Sequence, residues 1–211
     1  MKRMMLAFSA LLLATVSIPA LAASTIDVPT TTTAPSVDPR ADDTSFGTSA
    51  VAQLAWNSTQ MRDADEETSA RVTTDGKFLY VRFDASQKER IASAKPVDGK
   101  SDGDLVWIDL QPGGSNAPVY RFAAGPDGSS GATASNGAAA PAFETAGATY
   151  DGGYTVTMKI PLAALRPSAG SWNTQFGRAV HASGQQFVWS HDGNVAQAGT
   201  MTLPASVGAS Q

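Results

Sequence analysis

The stretch Ala-Arg-Val-Thr-Thr-Asp-Gly-Lys-Phe-Leu-Tyr-Val-Arg-Phe-Asp-Ala, residues 70–85, decides the fold. Two runs of alternating apolar side chains flank Asp75-Gly76, and an Asp-Gly pair between such runs is one of the strongest short-range signals for a β-hairpin. We therefore predict a hairpin with a two-residue turn at Asp75-Gly76. A period of two in its second strand assigns one face to the core, with Leu79, Val81 and Phe83, and leaves Phe78, Tyr80, Arg82 and Asp84 on the other face.

Residues 1–22 have the pattern of a secretory signal peptide. Lys2 and Arg3 precede an apolar run, and Ala20-Leu21-Ala22 provides an Ala-x-Ala cleavage pattern. The apolar run is too short for a comfortable transmembrane helix, and no later segment has the length and hydrophobicity to span a bilayer. We expect a protein without a membrane anchor that is exported to a bacterial periplasm or secreted.

The composition excludes several classes of function. The 211 residues contain no Cys, so disulfides and Cys-based metal, redox and nucleophile chemistry are excluded. There are 15 basic residues against 19 acidic ones and no basic cluster, so nucleic acid is not an expected partner. The length fits one domain with a core of its own.

Residues 23–43 are rich in Thr, Pro and Asp, a composition that is typical of an extended linker without a core of its own. We assign residues 44–205 to one β-domain and residues 206–211 to a short tail. Residues 129–142 are rich in Gly, Ala, Ser and Asn, so we expect a long mobile loop there.

The remaining segments have the pattern of short strands separated by turn residues. No segment has a sustained period of 3.6 residues, so the pattern indicates an all-β fold, an antiparallel β-sandwich. Helical turns are expected only at residues 86–94 and 162–165. Besides the hairpin, the predicted strands are residues 51–56, 105–111, 119–124, 154–160, 175–181, 187–190 and 199–203.

In this order, the segments resemble the family 9 carbohydrate-binding modules and the related DOMON-like β-sandwiches. The resemblance covers about residues 36–203, which is nearly all of the chain after the signal peptide. It rests on Ala70-Arg71-Val72 with Phe78-Leu79-Tyr80-Val81, Asp104-Leu105-Val106-Trp107-Ile108-Asp109, Tyr120-Arg121-Phe122 with Pro126-Asp127-Gly128, Gly153-Tyr154-Thr155-Val156 through Ile160-Pro161, and Phe176-Gly177-Arg178 with Trp189-Ser190.

The resemblance implies a secreted, non-catalytic domain that binds a saccharide on a sheet face or in a loop cleft. In the sugar-binding members, two aromatic side chains stack on the sugar, because its C–H faces are apolar, and polar groups hold the hydroxyls. The resemblance places these aromatic residues before the strand that begins near Asp104 and before the last strand. This chain has Lys100-Ser101-Asp102-Gly103 and Gly193-Asn194-Val195-Ala196 there, without an aromatic residue.

Other residues therefore become the candidates for ligand binding. Val106 and Ile108 are expected to face the core, so alternation places the indole of Trp107 on the outer face of its sheet, near Tyr120 or Arg121. An outward Trp on a strand is a plausible stacking platform. The candidate ligand-binding residues are Trp107, Trp172, Tyr120, Arg121 and Arg178.

Two kinds of cofactor come into question. Asp102 and Asp104 are candidate calcium ligands, since Ca²⁺ prefers several oxygen ligands from flexible loops. A solvated acidic loop is the simpler interpretation of them. Some DOMON-like sandwiches hold haem through Met and His side chains, which here would be Met158 and His181.

No catalytic residues are predicted. Ser190-His191-Asp192 has the residue types of a hydrolytic triad, but neighbours in an extended chain point to opposite sides, so His191 cannot lie between the other two. Two alternatives to carbohydrate binding stay open. The first is a DOMON-like haem or electron-transfer module, and the second is a structural or interaction domain of the cell envelope.

Overall fold

A computed structural model describes residues 24–41, 43–113, 115–165, 170–192 and 195–208 of the chain. The predicted signal peptide with its cleavage site and the end of the predicted tail lie outside these residues. The strands are β1 (Thr25–Asp27), β2 (Ala50–Gln53), β3 (Trp56–Asn57), β4 (Arg62–Asp63), β5 (Thr68–Thr74), β6 (Phe78–Ser86), β7 (Leu105–Gln111), β8 (Tyr120–Ala124), β9 (Ser130–Ala134), β10 (Glu144–Tyr150), β11 (Gly153–Pro161), β12 (Gly170–Val180), β13 (Gln185–Val188), β14 (His191–Asp192), β15 (Val195–Ala196) and β16 (Gly199–Leu203). Short 3₁₀ helices span Asp43–Phe46, Ala163–Leu165 and Ala205–Gly208.

The predicted hairpin forms between β5 and β6, and Gly76 in its turn has a φ of +87°. The Asp75 carboxylate accepts hydrogen bonds from the backbone N–H groups of Lys77 and Phe78, at 2.9 and 2.7 Å. Because these groups are bonded to Asp75, strand pairing begins only at Thr74 and Leu79. The turn therefore contains four residues rather than the predicted two.

Fourteen of the sixteen strands form two sheets that pack face to face, and β14 and β15 pair with each other as a separate two-stranded sheet. Sheet A has nine strands, with the order β4-β3-β13-β12-β7-β8-β9; β16 also pairs with β12, and β1 pairs with β16. Sheet B has the order β10-β11-β6-β5-β2. In the described residues, β1 and β16 are the only parallel pair of strands. The prediction of an antiparallel β-sandwich is confirmed.

The core lies between the sheets, where the predicted inward faces meet. Leu79, Val81 and Phe83 of β6 are fully buried in it, as the period of two predicts. Phe83 contacts Phe176 of β12 across the core, with ring centroids 6.3 Å apart. None of the described residues belongs to a helix that is long and apolar enough to cross a membrane.

The structure corrects the first part of the predicted mobile loop at residues 129–142, whereas residues 135–142 form no strand. Residues Ser130–Ala134 form β9, which pairs with β8 along its whole length, and β10 begins at Glu144. These strands are at the sheet edges, where backbone pairing satisfies the peptide groups and few large side chains are needed. Gly131 lies against the backbone of Pro96, and a Cβ atom there would be 2.7 Å from the Pro96 carbonyl oxygen.

Two further local predictions are wrong. Residues 87–94 form no helical turn, because their backbone donors bond elsewhere: Gln87 N–H donates to the Gly152 carbonyl and Ala92 N–H to the Asp104 carboxylate. The predicted strand at residues 51–56 is divided into β2 and β3, which belong to different sheets. The helical turn predicted at residues 162–165 is present as the 3₁₀ helix Ala163–Leu165.

The start of the predicted linker, residues 23–43, belongs to the domain. Its strand β1 pairs with β16, and Ile26 and Val28 are buried in the core. Thr30 forms a bridge with Thr74 of β5, so this segment contacts both sheets. In this Thr-rich segment, Thr25, Ile26 and Val28 formed too weak a pattern to predict a strand.

Arg178 of β12 lies between the sheets and is fully buried, which corrects its expected position on a ligand-binding face. Its guanidinium donates to Thr68 Oγ1 at 2.8 Å and to Gln87 Oε1 at 2.9 Å, and it forms an ion pair with Glu66 at 3.0 Å. It also lies 5.4 Å from the centroid of the Phe187 ring. This cation connects the two sheets.

We expect Arg178→Ala to lower the free energy of unfolding by about 3–5 kcal/mol, since removal of one partner leaves the buried Glu66 carboxylate without its counter-charge. Arg62→Ala is the matched control, because Arg62 and Asp65 form an exposed pair with 48% and 42% of their side chains accessible. Exposed pairs contribute little. Urea unfolding curves of both variants measure the difference, and equal losses would contradict a connecting role for Arg178.

The Asp75 turn generates a prediction about pH. Burial acts to raise the pKa of Asp75, but the hydrogen bonds from Phe78, Lys77 and Tyr80 outweigh it and lower this pKa below its usual value. The ionised carboxylate therefore stabilises the fold above the unfolded pKa of about 3.9, and this contribution is lost as the pH falls further.

We expect Asp75→Asn, which keeps an acceptor oxygen in the turn, to lose less stability than the wild type when the pH is lowered from about 5 to about 3. Urea midpoints measured across this range test the expectation. Parallel pH profiles for the two proteins would show that Asp75 has no such role.

Candidate functional site

The outer face of sheet A, which faces away from the core, carries a mixed aromatic and polar surface. The alternation that buries Val106, Ile108 and Leu110 turns the other residues of β7 outward. The same alternation in β8, β12 and β13 adds their outward residues to this face. Its members are Leu105, Trp107, Asp109, Gln111, Arg121, Ala123, Asn173, Gln175, Gly177, Ala179, Gln186 and Val188.

The indole of Trp107 lies flat on this face, across the neighbouring strand. Its cross-strand partner is Gly177 of β12, and a Cβ atom on Gly177 would lie 2.0 Å from Trp107 Cζ2. The absence of a side chain at Gly177 therefore makes room for the ring. Trp107 is on the outer face as predicted, but it is only 6% exposed and packs with Leu105, Ala123 and Val188.

Arg121 and Asp109 cover the Trp107 ring. They are direct cross-strand partners on β8 and β7. Their side chains form a bidentate pair, in which Nε and Nη2 of Arg121 are each 2.7 Å from a carboxylate oxygen of Asp109. The guanidinium carbon lies 5.1 Å from the centroid of the Trp107 ring. The Asp109 hydrogen bonds raise the pKa of Arg121 above its ordinary value although burial opposes this, so the cation stays charged.

The loop that lacks the first expected aromatic residue still reaches this site. Gly99, with a φ of +70°, lies beside the aliphatic part of Arg121, and a Cβ atom there would be 2.8 Å from Arg121 Cδ. The tight turn between Val97 and Lys100, with two reciprocal backbone hydrogen bonds, holds Gly99 in place. Arg121 is thus fixed by Asp109, Trp107 and Gly99.

A cleft of about 350 Å³ opens beside Trp107, Asp109 and Arg121. Amide side chains of Gln111, Asn173, Gln175, Gln186 and Gln197 line it. Asn173 donates to Gln111 Oε1 at 2.9 Å, which orders the two amides on adjacent strands. The cleft therefore combines an ion pair and several amides above an aromatic floor.

The end of β15 and the residues that follow it close one side of the cleft, where Ala196, Gln197 and Ala198 line it. The Gln175 amide donates to the carbonyl oxygens of Ser190 and Gln197 and accepts from the Ser190 N–H, at 2.6–3.0 Å. These bonds hold Ser190 and Gln197 against the sheet. Gly193 and Asn194, at the second place where an aromatic residue was expected, lie outside the described residues, and Val195 is exposed.

The structure separates the predicted ligand-binding residues into two groups. Trp107 and Arg121 line the cleft together. Trp172 is buried in the core on β12, outside the predicted strand at residues 175–181, and Tyr120 packs against the core from the inner face of β8. Trp172 and Arg178 are in phase with Phe176, and Tyr120 is in phase with Phe122, so strand alternation placed all three on the inner face.

Sequence reasoning missed Asp109, Gln111, Asn173 and Gln175. The signal was present, because Asp109 and Gln111 share the phase of Trp107, and Asn173 and Gln175 share the phase of Gly177. The sequence pattern did not indicate where β12 begins. The strand begins at Gly170, five residues before the predicted strand. Because the predicted strand started at residue 175, Asn173 lay outside it and the direction of its side chain was undefined.

The two calcium candidates have different surroundings. Asp104 is fully buried, and its carboxylate accepts hydrogen bonds from Gln87 Nε2, Ala92 N–H and His181 N–H at 2.7–2.9 Å. These bonds give Asp104 a structural role at the start of β7, whereas Asp102 is exposed. Within the described ranges, no group of three or more Asp, Glu or His side chains has a geometry that could hold a metal ion.

The two haem candidates differ in their burial. Met158 is fully buried in the core on β11, whereas His181 is exposed in the turn after β12. Neither of them lines the cleft beside Trp107. His191, of the rejected triad, stacks on Trp56 with ring centroids 4.3 Å apart.

The burial of Trp107 predicts that it supports the fold as well as the cleft. We expect Trp107→Ala to cost about 3–5 kcal/mol of stability, as is usual for a buried Trp. Gly177→Ala should displace the indole, because its methyl group would overlap the ring. Val195→Ala, at a residue that is 67% exposed, is the control. Thermal melts and Trp fluorescence spectra measure both effects. A Trp107→Ala melt that matches the control would mean that the indole is not packed.

Comparison with known proteins gives the family. No match was found among the curated proteins. Three similar solved structures share 16% sequence identity with the chain. One is a protein of Bacteroides uniformis proposed to bind carbohydrate, with a TM-score of 0.65 over 87% of this chain and 100% of that one.

The other two are structures of a family 9 carbohydrate-binding module of Caldicellulosiruptor kristjanssonii. The complex with cellotriose covers 85% of this chain and 93% of that one, and the complex with glucose covers 86% and 96%, each with a TM-score of 0.60. At this identity, the similarity supports the β-sandwich fold. The family model described as "Carbohydrate family 9 binding domain-like" matches residues 37–191, and the chain belongs to this family.

Proposed function

We propose that the protein binds a saccharide in the cleft beside Trp107 and carries out no reaction on it. The observation that carries the proposal is the bidentate Asp109–Arg121 pair, which lies over an aromatic floor at the mouth of an amide-lined cleft. The similar module of Caldicellulosiruptor kristjanssonii, in its complexes with cellotriose and glucose, supports the same class of ligand.

The polar groups of the cleft suit sugar hydroxyls. A guanidinium has five N–H donors, and the pair with Asp109 uses two of them, so Arg121 can still donate to a ligand. The Asp109 carboxylate keeps acceptor capacity, and the amides of Asn173 and Gln186 offer both donors and acceptors. A cleft of about 350 Å³ is at the small end of the usual range for ligand sites, roughly 300–1,000 Å³, which favours a short saccharide.

The mode of binding differs from an aromatic clamp. Gly177 lies under the Trp107 ring, and the Arg121 guanidinium carbon lies 5.1 Å from the ring centroid, so the guanidinium group rather than the ring faces the ligand. Trp107 supports this group, and hydrogen bonds to Arg121 and Asp109 provide most of the binding free energy. We also propose that the protein is exported, because residues 1–22 have the signal-peptide pattern.

Calorimetric titration of the protein with glucose, cellotriose, xylotriose and mannotriose tests the proposal. We expect Arg121→Ala to weaken binding by at least about tenfold, which corresponds to roughly 1.4 kcal/mol. Arg121→Lys should fail to restore it, since a lysine cannot form the bidentate pair. Arg62→Ala, at an exposed arginine outside the cleft, should bind as the wild type does. Unchanged affinity in Arg121→Ala, or no binding of any of the four sugars, would contradict this site.

A further inference from the structure

Tyr150 forms an aromatic platform on the opposite side of the sandwich. It is the last residue of β10, and its cross-strand partner is Gly153 of β11. The ring lies across this glycine, because a Cβ atom on Gly153 would be 2.8 Å from Tyr150 Oη and 2.9 Å from Cε2. Tyr150 is nevertheless 50% exposed. One side of the ring is therefore fixed against backbone, and another side faces solvent.

The hydroxyl end of this platform is also ordered. Tyr150 Oη lies 3.5 Å from the carbonyl oxygen of Ala85. Burial, and then the negative charge of Asp84, raises the pKa of Tyr150 above its ordinary value. The hydroxyl therefore remains protonated at neutral pH; its one hydrogen is directed to the Ala85 carbonyl, and its oxygen can accept a hydrogen bond from a ligand.

Polar side chains surround the ring on the outer face of sheet B. Gln53, Ser69 and Asp84 are successive cross-strand partners in one row, and Ser86 is the partner of Gly153 in the next row. Together with Glu67 and Tyr150 they line a cleft of about 250 Å³. The side chains of Gln53, Glu67 and Ser86 make no hydrogen bond to other groups in the described part of the chain, so they are available to a ligand.

A second, larger cleft also borders the ring. It has a volume of about 920 Å³ and is lined by Tyr150, by the backbone turn at Gly152 and by charged residues of both signs, among them Glu89 and Arg90. The two clefts share Glu67, Ser86 and Tyr150. A ligand longer than one ring can therefore contact Tyr150 and extend from one cleft into the other.

The chemistry around Tyr150 is that of saccharide recognition. The exposed part of the ring suits the apolar C–H face of a pyranose, and the carboxylate, amide and hydroxyl groups of Glu67, Gln53 and Ser86 suit its hydroxyls. The same device, an aromatic ring laid over a cross-strand glycine, supports the cleft on sheet A, where the ring is Trp107 and the glycine is Gly177.

We propose that Tyr150, Glu67, Gln53 and Ser86 form a second saccharide-binding site, which takes an internal stretch of an oligosaccharide. This site is on the outer face of sheet B, and the cleft beside Trp107 is on the outer face of sheet A. The inference goes beyond the proposed function, because the site beside Tyr150 can bind a saccharide whether or not the cleft beside Trp107 does.

NMR titration of the full-length, isotope-labelled protein with cellotriose, xylotriose and mannotriose tests the inference. We expect one of these sugars to shift the amide signals of Tyr150, Gly153 and Ser86. Tyr150→Ala should weaken this response by at least about tenfold, whereas Tyr150→Phe, which keeps the ring, should retain most of it. Glu67→Gln should weaken it as well, and it remains a test if Tyr150→Ala does not fold.

The two sites are distinguished by their own signals. Arg121→Ala should remove the response beside Trp107 and leave the response beside Tyr150 intact. If Tyr150, Gly153 and Ser86 show no shift with any of the three sugars, or if Tyr150→Ala and Glu67→Gln respond as the wild type does, the inference is wrong. A response at Tyr150 without one at Trp107 would uphold the inference and contradict the proposed function.

Discussion

The buried cation of Arg178 is the interaction on which the arrangement of the two sheets depends. Its bonds reach Thr68 and Glu66 beside sheet B, and Gln87 continues the network to Asp104 at the start of β7. A buried charge is tolerated only where such partners surround it. Asp104 lies directly before β7, and Arg178 lies next to Gly177 in β12. The network therefore also fixes the register between β7 and β12, the strands that hold Trp107 and the cleft.

The outer face of sheet A follows from that register. β7 and β12 place Trp107 opposite Gly177, and β7 and β8 place Asp109 opposite Arg121. A shift of one residue would turn every one of these side chains to the other face. The ion pair then lies over the ring, and the cleft forms beside it. In this molecule, the polar network in the core and the polar residues of the outer face are thus positioned by the same strand pairing.

Large alternating side chains made most of the fold predictable from sequence. The hairpin of β5 and β6, the strands β7 and β11, and the outward direction of Trp107 all carry this pattern. Strands β9 and β10 do not, because small residues suffice where a strand lies at an edge and pairs mainly through its backbone. The residues of the candidate cleft were predicted in part, since Trp107 and Arg121 line it, whereas Asp109 and Asn173 needed a knowledge of which strands are neighbours. Trp172, Tyr120 and Arg178 were misplaced because residue chemistry was weighed without the phase of the strand.

The parallel pairing of β1 with β16 has a mechanical consequence. Backbone bonds between Val28 and Thr202 and between Thr200 and Ser24 join the first and the last strand of the sandwich side by side. Consider a force that pulls the N-terminal end of β1 at Thr25 and the C-terminal end of β16 at Leu203 in opposite directions. Because the two strands are parallel, this force would load all of these bonds in shear at the same time, so they could not break one after another. The domain is therefore built to stay folded under a load applied along its chain.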